Sequence, residues 1–157
     1  MSEPQRNPDR EPPAHVAWLG YGGALPFIGL TLLIAADAHR APLWSEALLG
    51  YGAVILSFVG ALHWGFAMSA PRLTPAARRR AFVWSVVPAL MAWPATVLAG
   101  SASASILVAG FALQWAQDRR LAGPAGLPAW YLPLRWRLTA VASLCLLAFV
   151  GYGAGRA

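Results

Sequence analysis

The sequence predicts an all-α transmembrane bundle of about five helices, with a proline- and aromatic-rich interfacial loop before the last helix. Hydrophobic residues make up 58% of the 157 residues and charged residues only 11%, whereas soluble domains carry roughly one quarter charged residues. The apolar residues fall in five runs separated by short connections. All twelve basic residues are arginines, and they cluster between those runs. These observations together predict a membrane domain.

The N-terminal segment differs in composition from everything that follows it. Residues 1–15 include four prolines and three acidic residues, so they match neither a secretory signal nor an arginine-rich transit peptide. They predict a disordered cytoplasmic tail, followed by one transmembrane domain over residues 16–157. Its first span covers residues 16–36, which carry no charge. At about 1.5 Å per residue, that length crosses a hydrocarbon core roughly 30 Å thick.

The next three spans are bounded by charged or turn-forming residues. The second covers residues 47–68 and contains one ionisable side chain, His63. The third covers residues 81–99 and directly follows an arginine triplet that ends at Arg80. The fourth, a shorter helix, covers residues 101–117, because its first serines and alanines also fit a tight turn.

A proline- and aromatic-rich segment separates Asp118 from the last span. Trp and Tyr favour the headgroup level of a bilayer, and prolines prevent a regular spanning helix. Residues 121–136 therefore predict an interfacial loop, and residues 138–154 predict the fifth span. The loop contains Pro124, Pro128, Trp130, Tyr131, Pro133 and Trp136.

The distribution of arginine predicts the orientation. With five spans, two arginines, Arg40 and Arg156, fall on the side opposite the N-terminal tail. The arginines on the tail's side are Arg6, Arg10, Arg72, Arg78, Arg79, Arg80, Arg119, Arg120, Arg135 and Arg137. Arginine accumulates in cytoplasmic loops, so the N-terminus is predicted in the cytoplasm and the C-terminus in the periplasm of a bacterial inner membrane. Orientation also accounts for the net charge of +6, and no nucleic acid is expected as a partner.

His63 is the first candidate for a functional residue, because an ionisable side chain inside a span is costly. The alternative is a neutral imidazole that hydrogen-bonds to a neighbouring helix. A haem held by two histidines is not expected, since His15 and His39 lie at opposite ends of the first span. No carboxylate lies inside a predicted span, so neither a proton relay nor a metal site is expected. The sequence predicts no cofactor.

The third span offers a second candidate site. Pro88 and Pro94 lie inside it, where each bends the helix and can open a small cavity. Trp84 and Trp93 are predicted to give that cavity aromatic walls, which would suit a porphyrin, a quinone or a lipid. The alternative for these residues is ordinary helix packing.

Several stretches taken together resemble the DUF3429 family. They are Leu19-Gly20, residues 24–27, 51–65 and 84–90, Asp118, Trp130-Tyr131 and residues 134–139. The resemblance implies a small polytopic protein of bacterial inner membranes or mitochondria, and it implies no particular activity. The residues that it marks as important are His63, Trp64, Pro88, Asp118 and Arg135. Asp118 and Arg135 both fall in the predicted fourth connection, where an ion pair between them would hold the interfacial loop in place.

The function expected from these features is binding without catalysis. The sequence has no Gly-x-Ser-x-Gly elbow, no His-Glu-x-x-His motif and no paired carboxylates inside a span, so an enzyme is not expected. The favoured hypothesis is an accessory or assembly factor that packs against a larger membrane complex, or against its own copies, in the lipid bilayer. The alternatives are a small-ligand binding protein and, third, a small transporter.

Overall fold

The described part of the chain folds into five helices. A computed structural model describes residues 11–154, and its helices are α1 (Ala14–Ala36), α2 (Ala41–Ser69), α3 (Pro75–Val97), α4 (Gly100–Ala125) and α5 (Tyr131–Ala154). The predicted all-α class and the number of helices are confirmed. Residues 1–10, which make up most of the predicted tail, lie outside the described residues.

The helices extend beyond the predicted apolar runs because charged residues do not end them. Helix α3 begins at Pro75, within the polar segment, where the Thr74 hydroxyl accepts a hydrogen bond from the backbone N–H of Ala77 at 3.2 Å. Thr is a favoured N-cap residue, and proline suits the first helical position. The prediction of a shorter fourth helix was wrong, since α4 has 26 residues.

The interfacial loop exists but is shorter than predicted, because only residues 126–130 connect α4 to α5. Helix α4 ends at Gly126, whose φ of 67° lies in the left-handed region that favours glycine. The backbone N–H of Leu127 then donates to the carbonyl of Ala122 at 2.9 Å. Pro133 lies in the first turn of α5, where a missing N–H breaks no helical bond. Pro133 therefore does not prevent a helix at this point, and α5 begins before the predicted end of the loop.

Helix α2 is the centre of the bundle, since it contacts each of the other four helices. It approaches α3 closely at Gly60, which packs against the buried ring of Pro88. An apolar core fills the middle of the bundle and includes Phe27, Leu48, Leu56, Leu107, Phe111 and Leu146. The short connections make consecutive helices antiparallel, so the α2–α3 and α4–α5 connections share one end. We call it the arginine-rich end, and it carries Arg72, Arg78, Arg79, Arg80, Arg119 and Arg120.

The outer surface is that of a membrane protein. Many large apolar side chains face outward, among them Leu25, Leu32, Val54, Phe58, Leu90 and Leu144, which is expected where lipid replaces water. Among the described residues, helices α1, α2 and α5 are long and apolar enough to cross a membrane. Helix α3 carries three arginines near its start, and α4 carries serines near its start, so both are less apolar. That these two helices cross the membrane stays a prediction.

Candidate functional site

A buried polar cluster around Asp118 lies near the arginine-rich end of the bundle. The residue is 1% exposed, and it lies inside α4, not after it as predicted. Its Oδ2 accepts a hydrogen bond from Arg135 Nε at 2.9 Å. Its Oδ1 accepts from His63 Nε2 at 2.8 Å, from Gln114 Nε2 at 3.0 Å and from the Tyr131 hydroxyl at 3.4 Å. All four side chains therefore direct a polar atom at one carboxylate.

Gln114 extends the cluster to the third helix. Its side-chain oxygen accepts a hydrogen bond from Trp84 Nε1 at 2.8 Å, and its nitrogen also donates to the Val59 carbonyl at 3.2 Å. The cluster therefore joins α2, α3, α4 and α5. Helices pack in a membrane without a hydrophobic force between them, so buried polar bonds of this kind determine how the helices are rotated and aligned.

The charges within the cluster compensate one another. Asp118 and Arg135 form a buried ion pair, and with a neutral His63 the cluster carries no net charge. Phe66 packs edge-on against Tyr131 with ring centroids 5.6 Å apart, which covers the cluster toward the arginine-rich end. A low-dielectric setting makes a paired charge tolerable and an unpaired one very costly.

The structure brings together some of the predicted site residues and separates others. His63, Asp118 and Arg135 meet directly, and Trp84 joins them through Gln114. Trp64 is half exposed and packs edge-on against Phe82.

The predicted aromatic cavity of the third helix is not formed. Pro88 is buried against Gly60, whereas Trp93 is 71% exposed on the outside of the bundle. Trp84 and Trp93 are nine residues apart, and a helix turns about 100° per residue. Their side chains therefore leave opposite faces of α3.

Gln114 and Tyr131 are members of the cluster that the sequence analysis did not propose. Each stands four residues before another member, Gln114 before Asp118 and Tyr131 before Arg135. Residues at this spacing share one helix face. The signal was overlooked because the predicted fourth span ended at residue 117 and the predicted fifth began at 138. Gln114 was thereby separated from Asp118, and both Tyr131 and Arg135 were placed outside the fifth helix.

Two polar atoms on α5 lack partners. Arg135 Nη2 and Thr139 Oγ1 are both buried without a hydrogen bond. Within residues 11–154, no group of three or more His, Cys, Asp or Glu side chains is placed to hold a metal ion. Asp118 accepts three hydrogen bonds at Oδ1 and one at Oδ2. One carboxylate thereby links α2, α4 and α5.

Trp84 and Trp93 form a matched pair for testing which face of α3 matters. Trp84→Phe should lower the free energy of unfolding by about 1 kcal/mol, because the buried Gln114 oxygen loses its donor. Trp93→Phe should change it by less than about 0.5 kcal/mol, since its ring is exposed. Reversible unfolding in mixed micelles measures both, and equal losses would contradict the assignment of Trp84 to the cluster.

Comparison with known proteins agrees with the resemblance seen in the sequence. The family described as "Protein of unknown function (DUF3429)" matches residues 12–151. Transmembrane protein 69 of Xenopus tropicalis is 33% identical over 143 residues, which cover 88% of this chain and 54% of that protein. The chain thus spans about half the length of this relative. No solved structure matches significantly. The chain therefore belongs to the DUF3429 family.

Proposed function

We propose that the protein is a non-enzymatic accessory or assembly factor that packs against a larger membrane complex through the outer face of α4. That face carries small residues at helical spacing: Ser101, Ser105, Ala109 and Ala112 are all exposed. Small residues let two membrane helices approach closely, and interfaces between such helices are enriched in them. The outward faces of α1 and α2 also expose glycines, but there large side chains such as Leu25, Val54 and Phe58 stand among them. This difference is the observation that carries the proposal.

The polar cluster supports binding better than catalysis or transport. Asp118 accepts hydrogen bonds from four side chains on three helices, which suits a structural lock. Because Asp118 lies inside α4, the absence of a carboxylate from the predicted spans no longer argues against a transporter. However, the apolar core occupies the bundle between the cluster and the opposite end, and a proton or ion path needs polar groups along its length. A ligand site on the third helix has lost its support because Trp93 faces outward.

We also propose the location and orientation predicted from arginine. The arginine-rich end would lie in the cytoplasm of a bacterial inner membrane, with the C-terminus in the periplasm. Arg135 is 7% exposed in the cluster, so it does not belong to the loop arginines that set this orientation. The remaining arginines still favour the same side.

A bulky substitution on the α4 face tests the docking role. Ser105→Leu combined with Ala109→Leu should reduce the recovery of partner proteins from native membranes about tenfold or more, because overpacking a close helix contact costs about 1–3 kcal/mol. The measurement is quantitative co-purification after mild detergent extraction. Val54→Leu is the matched control, since Val54 lies on the outside of α2 and is 63% exposed.

Two outcomes would contradict the proposal. One is recovery of the wild-type protein alone at stoichiometric purity from native membranes. The other is a homo-oligomer, measured by light scattering, that the α4 substitutions dissociate, because the face would then serve self-association.

A further inference from the structure

Two arginines and a tryptophan form a patch on the outside of α4 and α5 near the arginine-rich end. The guanidinium carbon of Arg119 lies 4.7 Å from the centroid of the Trp115 ring, which packs against Trp136 with centroids 5.1 Å apart. Arg137 comes next on α5, and its Nη1 donates to the Tyr21 hydroxyl of α1 at 3.0 Å. One guanidinium therefore lies on the α4 side of Trp136 and the other on its α1 side. We call Arg119, Trp136 and Arg137 the outer patch.

The three side chains of the outer patch are accessible from outside the bundle. Arg119 and Arg137 are exposed, and Trp136 is 54% exposed. Neither guanidinium is paired with a carboxylate within residues 11–154. A guanidinium that stacks on a ring uses its flat face, which leaves its in-plane N–H donors open. The outer patch therefore presents two cations with unused donors to the surroundings of the protein.

The position of the outer patch along α5 matches the level of lipid headgroups. Helix α5 is long and apolar enough to cross a membrane, and its uncharged run, residues 138–154, begins directly after Arg137. Trp and Tyr favour the boundary between headgroups and hydrocarbon. The exposed face continues into the apolar run with Leu144, which is 65% exposed and shares a helix face with Arg137. A lipid whose headgroup meets the patch can therefore lay an acyl chain along α5.

We propose that the outer patch binds the headgroup of an anionic phospholipid. The fork of a guanidinium matches two oxygens of a phosphate. Two arginines favour a headgroup with net negative charge over a zwitterionic one, whose own cation offsets its phosphate. The depth of the patch favours a lipid over an acidic protein, which would meet the exposed arginines of the α2–α3 connection first. This site is independent of the α4 docking face.

Native mass spectrometry of the purified full-length protein, released from micelles of a nonionic detergent, tests the site. The probes are dioleoyl phosphatidylglycerol and dioleoyl phosphatidylcholine, which share acyl chains and a phosphate but differ in net headgroup charge. Titration of each lipid should give a dissociation constant about tenfold or more lower for phosphatidylglycerol. Equal dissociation constants for the two lipids would overturn the proposal.

Two double variants with the same loss of charge decide whether the preference arises at the outer patch. Arg119→Gln with Arg137→Gln should weaken phosphatidylglycerol binding about tenfold or more, close to the affinity for phosphatidylcholine. Arg79→Gln with Arg80→Gln is the matched control, because both arginines are exposed at the same end but belong to α3, which does not contact α5 over the described residues. At about 0.15 M salt, attraction between exposed charges is screened beyond about 8 Å, so the control should weaken binding less than about threefold.

Equal losses of affinity in the two double variants would also overturn the proposal, because the preference would then follow net charge and not the patch. Circular dichroism checks that each variant is folded. If Arg119→Gln with Arg137→Gln fails to fold, Arg119→Gln alone decides, since Arg137 bonds to another helix whereas Arg119 stacks on Trp115 of its own helix. An unchanged affinity for phosphatidylglycerol in that single variant would contradict the site.

Discussion

Asp118→Asn is expected to lower the free energy of unfolding by about 3–5 kcal/mol, because it leaves the buried charge of Arg135 without its counter-ion. An asparagine also presents an N–H₂ group where the wild-type carboxylate accepts bonds from His63 and Gln114. At least one donor must then face another donor. In a setting with 1% exposure, water cannot compensate for that conflict.

The measurement is reversible unfolding of Asp118→Asn in mixed micelles, compared with Glu46→Gln. Glu46 is exposed at the opposite end of the bundle, and neutralising it should change the free energy of unfolding by less than about 0.5 kcal/mol. The double variant Asp118→Leu with Arg135→Met removes both charges and should recover much of the loss. A double variant no more stable than Asp118→Asn would show that the ion pair is not the source of the effect.

Gly60→Ala has the second largest expected effect, a loss of about 1–3 kcal/mol in the free energy of unfolding. A Cβ atom at Gly60 would lie 2.6 Å from Cγ and 2.7 Å from Cβ of Pro88. The Pro88 ring is closed onto the backbone of α3, so it cannot rotate away as a flexible side chain can. Helices α2 and α3 must then move apart, and the nearby polar cluster is strained with them.

Gly65→Ala is the matched control, in the same helix and five residues further along. No atom lies within 4 Å of a Cβ at that position, so the substitution should be neutral or stabilise the helix by up to about 1 kcal/mol. Pro88→Ala combined with Gly60→Ala should restore part of the lost stability by making room. If Gly60→Ala and Gly65→Ala unfold alike, the close contact between α2 and α3 is wrong.

The sequence predicted the helices better than their ends. Five apolar runs indicate five helices because each run is long enough to bury itself in lipid or in a core. Their limits were placed at the nearest charge, and this rule failed at Asp118 and Arg135. A charge ends an apolar run, but it need not end a helix: Asp118 is paired with Arg135 of the next helix, and arginine is itself a good helix former. The 26-residue α4 is the result.

The sequence alone determined the composition, the order of the helices and the concentration of arginine. It also marked His63 as an ionisable group within a helix. The tertiary structure decided which residues meet. His63 and Asp118 are separated by 55 positions, and a helical pattern gives the period along one helix without its rotation against another. For the same reason, the sequence alone does not show that Trp84 faces the cluster and Trp93 the outside. A buried carboxylate with four donors from three helices can be recognised only once those helices are packed.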